Sequence, residues 1–133
     1  METWRKLKNL NRFDNKFLTV IAEEIRELIN KGYYDITEKV ERKNTSLKDI
    51  LLSKRENYPI ITEIKFSSPS LGEINRNSNS QKEILTRMET NGSSAISVLT
   101  QPLYFDGSLE NLKIVRQNTE LPILMKDLSL IHI

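Results

Sequence analysis

A chain of 133 residues is one domain's worth, long enough to bury a core of its own. With 38% hydrophobic and 29% charged residues it reads as a soluble globular protein, and its 20 Lys and Arg are interleaved with 18 Asp and Glu, which excludes a nucleic-acid-binding stripe. It has no cysteine for a disulfide or thiolate metal site, no apolar run of membrane-spanning length and no apolar signal core near Met1, so a cytoplasmic location is expected.

In chain order, Trp4, Leu7, Leu10 and Phe13 recur at threes and allow a short amphipathic helix over residues 1–15. Phe17, Leu18, Ile21, Ala22, Ile25, Leu28 and Ile29 then repeat at three and four, and Gly32 supplies a stop, so a helix covering a core is predicted. Residues 33–45 are mixed and read as irregular. Ser46 opens an S-x-x-D pattern with Asp49, and Leu47, Ile50 and Leu51 give a short helix an apolar face.

Pro59-Ile60-Ile61-Thr62-Glu63-Ile64-Lys65-Phe66 is the stretch around which the rest is arranged. Its apolar run predicts a strand buried on both faces of a parallel sheet. Glu63 and Lys65, two apart, point to one face, while Ile64 and Phe66 point to the other. Ser67-Ser68-Pro69-Ser70 reads as a turn, and Gly72 to Ser80 as a polar surface loop. A carboxylate and an ammonium at the carboxyl end of such a strand stand where parallel α/β proteins place their ligands.

Ser80 can cap a helix carrying Ile84, Leu85 and Met88, closed by Asn91-Gly92. Ala95-Ile96-Ser97-Val98-Leu99-Thr100 is the second strand. A loop over 101–107 leads to Ser108, which can cap a helix of Leu109, Leu112, Ile114 and Val115. Pro122-Ile123-Leu124-Met125-Lys126-Asp127 is the third strand, again ending in charge. Strand, helix, strand, helix, strand at roughly thirty-residue spacing is the βαβ rhythm. Met88 and Met125 are read as core residues; His132 is assigned no role.

Three blocks carry a more specific pattern: Glu63-Ile64-Lys65-x-x-Ser68-Pro69-Ser70-x-Gly72, Ala95-Ile96-Ser97-Val98-Leu99-Thr100-x-x-x-Tyr104-Phe105-x-Gly107-Ser108, and Leu121 through Asp127. In order and spacing they resemble indole-3-glycerol-phosphate synthase. The resemblance implies an α/β fold, an incomplete β/α (TIM) barrel: an N-terminal helical extension over 1–57, the first three strands with their two connecting helices over 58–127, and an aberrant tail over 128–133. It also implies a carboxy-lyase of tryptophan biosynthesis that needs no cofactor. That enzyme closes the indole ring of 1-(2-carboxyphenylamino)-1-deoxyribulose 5-phosphate.

By the same resemblance Lys126 is the general acid, Glu63 orients and charge-balances the lysines, and Lys65 draws the anionic substrate. Ser68, Leu99, Phe105 and Leu128 are the substrate-binding positions. A buried lysine beside a second cation has its ammonium form disfavoured, which suits it to acid work near neutral pH. Phe66 stands where the family usually has Arg, and Leu128 where a Phe usually follows Lys-Asp. The family's second catalytic Glu, its Asn, its Ser and its phosphate-binding glycine turns belong to a later half that has no counterpart here. A barrel of this kind has eight strands and typically about 250 residues, so the chain reads as incomplete, with an open sheet edge available for association.

Two other readings stand beside this one. One is another phosphate-binding barrel enzyme such as phosphoribosylanthranilate isomerase, against which the Ser97–Phe105 block argues. The other is a catalytically inactive fragment, or half of a split barrel. The expected partner is an anionic phosphate ester, with no nucleic acid and no membrane.

Overall fold

The structure, a computed structural model, describes residues 15–35, 45–54, 58–68, 72–73 and 81–127. The possible helix over 1–15 lies almost wholly outside these residues, and Leu128, the rest of the tail and the capping Ser80 lie outside them altogether. The chain divides into two compact units, Met1–Val40 with Asp127–Ile133, and Glu41–Lys126.

In the first unit the periodic apolar residues form α1 (Asn15–Asn30). Ile21 and Ile25, one turn apart, are its buried positions. Gly32 ends the helix at a φ of 74°, which a side chain would resist. Its N–H bonds Ile29 O at 2.9 Å and the Tyr33 N–H bonds Leu28 O at 3.0 Å, which satisfies two terminal carbonyls. Beyond this turn the Tyr34 hydroxyl donates to Asp127 Oδ2 at 2.9 Å.

The second unit opens with α2 (Leu47–Ser53), whose first turn is closed by Ser46 Oγ accepting from the Asp49 N–H at 3.2 Å. Three strands, β1 (Ile60–Ile64), β4 (Ser93–Leu99) and β5 (Ile123–Lys126), then form a parallel sheet in the order β1-β4-β5. The connecting helices α3 (Gln81–Thr90) and α5 (Leu109–Asn118) pack on one face of it. Leu85 of α3 and Val115 of α5 meet Ile64, Ile96 and Val98 there. Full burial of such side chains is worth about 1.5–3 kcal/mol each. Phe66 and Met88 pack against the same cluster. The expected α/β architecture of three parallel strands and two connecting helices is therefore present, the partial β/α barrel that the sequence implies.

Burial differs from expectation along two strands. All seven residues of β4 are buried, but Ile60 and Ile61 of β1 are 57% and 41% exposed. Leu124 and Met125 of β5 are exposed as well. Burial on both faces needs covering layers and flanking neighbours, and among the described residues only the central strand has a strand on each side. Met125 is therefore not a core residue.

Two stretches read as turn and loop have more structure than that. Ser67–Ser68 is β2, paired antiparallel with β3 (Gly72–Glu73). Pro102–Phe105 is a single helical turn, α4: Gln101 Oε1 accepts from the Tyr104 N–H at 2.8 Å, and Pro102 sits in the first turn, where its missing N–H costs nothing. Ser108 Oγ caps α5 by accepting from the Asn111 N–H at 3.0 Å.

Candidate active site

Side chains alternate along a strand, and partners in register on neighbouring strands share a face. Glu63 is in register with Ser97, Ser97 with Leu124, and Leu99 with Lys126. These residues share the face opposite the one on which α3 and α5 pack. β1 and β5 flank β4 and so stand about 9–10 Å apart. The Glu63 and Lys126 side chains reach across that gap and meet: Nζ donates to Glu63 Oε2 at 2.6 Å, a short charge-assisted bond. Lys65, just past the end of β1, brings its Nζ to 3.3 Å from Glu63 Oε1. One carboxylate thus holds two ammonium groups, one on each oxygen.

Burial pushes the Glu63 carboxyl up. The hydrogen bond and charge of Lys126, followed by those of Lys65, outweigh it and hold the group below its ordinary range. The three groups together carry a single positive charge at neutral pH, suited to an anionic ligand. Lys126 departs from the expectation of a buried lysine: its side chain is 54% exposed, and among the described residues β5 has a paired strand on one side alone.

The remaining expected positions are Leu99, Ser68, Phe105 and Leu128. Leu99 is buried beside Lys126 on the same face. Ser68 is buried on β2, and α4, which ends at Phe105, packs against that strand. Phe105 itself is half-buried. Leu128 lies outside the described residues. Among the described residues no three His, Asp or Glu side chains come together in a way that could hold a metal ion.

Two features escape a reading by sequence spacing. Ser97 stands on the charged face directly beside Glu63; a polar residue inside the apolar run Ala95–Leu99 was the signal for it. Tyr34 and Asp127 are 93 residues apart, and no local pattern joins them. Burial and the Asp127 hydrogen bond push the Tyr34 hydroxyl well above its ordinary range, so it is neutral and donates at any physiological pH. No described helix is long and apolar enough to cross a membrane.

Comparison with known proteins agrees with the geometry. A profile of the indole-3-glycerol phosphate synthase family matches residues 15–131. The indole-3-glycerol phosphate synthase of Methanocaldococcus jannaschii is 44% identical over 108 residues, covering 80% of this chain and 40% of the relative. That of Listeria monocytogenes is 35% identical over 108 residues, covering 81% of this chain and 42% of the relative. That of Lactococcus lactis is 34% identical over 122 residues, covering 89% and 44%. The chain thus spans less than half the length of these relatives. The match runs through β1, β4 and β5 and every charged residue of the trio, and the chain belongs to the indole-3-glycerol phosphate synthase family.

Proposed function

We propose that this chain supplies the acid side of a ring-closing carboxy-lyase site, acting in the cytoplasm. The substrate is 1-(2-carboxyphenylamino)-1-deoxyribulose 5-phosphate, and the products are indole-3-glycerol phosphate, carbon dioxide and water. The observation that carries this reading is the carboxylate bridge of Glu63 to Lys126 and Lys65 at the carboxyl ends of two parallel strands.

The geometry supports the following roles. As the aromatic carbon attacks the ketone carbon, negative charge grows on the carbonyl oxygen. Lys126 is an ammonium at the edge of the site and delivers a proton to that oxygen. Glu63 holds the ammonium in place beforehand and takes part of the load of its positive charge. Lys65, on the opposite oxygen of the same carboxylate, contributes the surplus positive charge that attracts the anionic substrate. Leu99 and Phe105 form the apolar wall for the anthranilate ring, while Ser68 and Leu128 are further contacts to the substrate. Residues 58–127 in this reading are the first three strands of the barrel, preceded by a helical extension.

The test joins this chain to the remaining portion of a family member and compares Lys126→Met with the parent. Methionine keeps most of the volume and removes the proton. The expected result is a fall in kcat of about a hundredfold or more, with KM changed much less. Lys65→Met weakens substrate binding instead. Near-normal turnover by Lys126→Met, with turnover lost in Lys65→Met, reverses the two roles and overturns the assignment.

A further inference from the structure

The bond between Glu63 and Lys126 spans the central strand, and the residue of β4 in register with Glu63 beneath it is Ser97. Ser97 is 5% exposed, and its Oγ is buried with no hydrogen-bond partner among the described residues. A buried hydroxyl without a partner is a cost that alanine at the same position would avoid. Ser94 Oγ on the same strand is also buried and without a partner among those residues, so the orphan state alone does not single Ser97 out. Its place does: it adjoins a carboxylate whose two oxygens are both committed to lysines.

That commitment weakens through the proposed reaction. When Lys126 turns one N–H toward the substrate oxygen and gives up that proton, it becomes a neutral amine, so its charge-assisted bond to Glu63 Oε2 weakens and can be given up. Lys65 stands on the other oxygen, its Nζ 3.3 Å from Oε1. A half-buried carboxylate left with one free oxygen would pull the proton back or swing away. Adjacent strands lie about 4.7–4.9 Å apart, so a hydroxyl on the registered neighbour is within reach of the Glu63 side chain. A serine hydroxyl also turns about a single bond to donate wherever an acceptor appears, with no change of charge.

We propose that Ser97 is a positioning residue for Glu63: its hydroxyl donates to the carboxylate oxygen that Lys126 vacates, and so holds the carboxylate in place while the lysine works. The exchange moves one hydrogen bond and no proton. Only the reason an exchange is needed rests on the reading of Lys126 as the acid; the exchange itself can be measured without turnover.

The experiment follows the side-chain carboxyl carbon of Glu63 by NMR through a pH titration of the 133-residue chain. Four forms are compared: the parent, Ser97→Ala, Lys126→Met, and the double variant. Lys65 and Lys126 are the charged groups paired with Glu63 among the described residues, and Lys65 is left intact throughout. In the parent background Ser97→Ala leaves the Glu63 midpoint where it is, because Lys126 occupies the oxygen. In the Lys126→Met background Ser97→Ala raises the midpoint, and Ser97→Thr, which keeps the hydroxyl, does not. A purely structural serine would move Glu63 equally in both backgrounds or in neither, and either result overturns the proposal. Should the alanine variant lose its folded spectrum, Ser97→Cys, of similar volume and a weak donor, is read in its place and shifts the midpoint the same way. A null result here beside a large kcat loss in Lys126→Met refutes the exchange and leaves the acid role standing. The opposite pair of results refutes the acid role and leaves the exchange standing.

Discussion

Glu63→Gln separates chemistry from stability at the bridge. The amide keeps the shape and removes the charge that holds Lys126 at 2.6 Å and Lys65 at 3.3 Å. Both partners are partly in water, with side chains 54% and 33% exposed, so each pair belongs to the weak class worth about 0–1 kcal/mol. Losing both therefore costs no more than about 2 kcal/mol at neutral pH, and salt screening reduces that further. The sign with pH follows from the direction of the shift. The folded-state carboxyl lies below its ordinary value of 4.5, so the bridge stabilises the fold fully above that value. The contribution is lost as pH falls through the lowered folded-state value. Urea unfolding at pH 7 and again near pH 3 is the assay. The parent loses stability between the two, and Glu63→Gln loses less, the difference being the share of Glu63. A loss at pH 7 as large as that of a core deletion, about 2–5 kcal/mol, would make Glu63 a structural keystone and refute the reasoning. So would an unchanged pH dependence.

Two further outcomes test the surroundings of the site. A Cβ on Gly107 would lie 2.4 Å from Leu99 O and 2.7 Å from Leu99 C, both backbone atoms, so Gly107→Ala must displace the loop behind α4; a loss of about 1–3 kcal/mol in chemical denaturation is expected, and a midpoint equal to the parent's would show that the loop gives way freely. Tyr34→Phe removes the hydroxyl that donates to Asp127 at 2.9 Å, a part-buried bond to a charged acceptor, and costs about 1.5–3 kcal/mol by the same measurement; a change within a few tenths would mean that water replaces the hydroxyl without loss.

How much of this was legible in the sequence depends on whether the cause was local. The Ile21, Ile25 spacing and Gly32 specify α1 and its end within one stretch of chain, because helix geometry and the left-handed turn are set by neighbours three and four residues away. Glu63 and Lys65 sharing a face follows from strand alternation alone. Ser46 and Ser108 are caps for the same local reason. Exposure along β1 and β5 was not legible: an apolar run states that a strand can be buried, not which layers and neighbours cover it. The turn α4 was hidden because Gln101 is an uncommon cap and the segment is one turn long. The bond between Tyr34 and Asp127 depends on where the backbone brings two distant residues, which no period encodes.

The charges themselves carry the last step. On the face that holds Ala95 and Leu99, both buried, apolar side chains at 63 and 126 would pack without any desolvation cost. The two ion pairs return little in exchange, since water already competes for Lys126 and Lys65. Stability alone therefore does not explain a carboxylate between two ammonium groups at this place. A proton donor of the kind proposed would need this arrangement: an ammonium held ready, a fixed counter-charge to hold it, and a surplus positive charge for an anion. Three residues at the ends of two strands would supply these, with β4 between the strands setting the distance across which Glu63 and Lys126 meet.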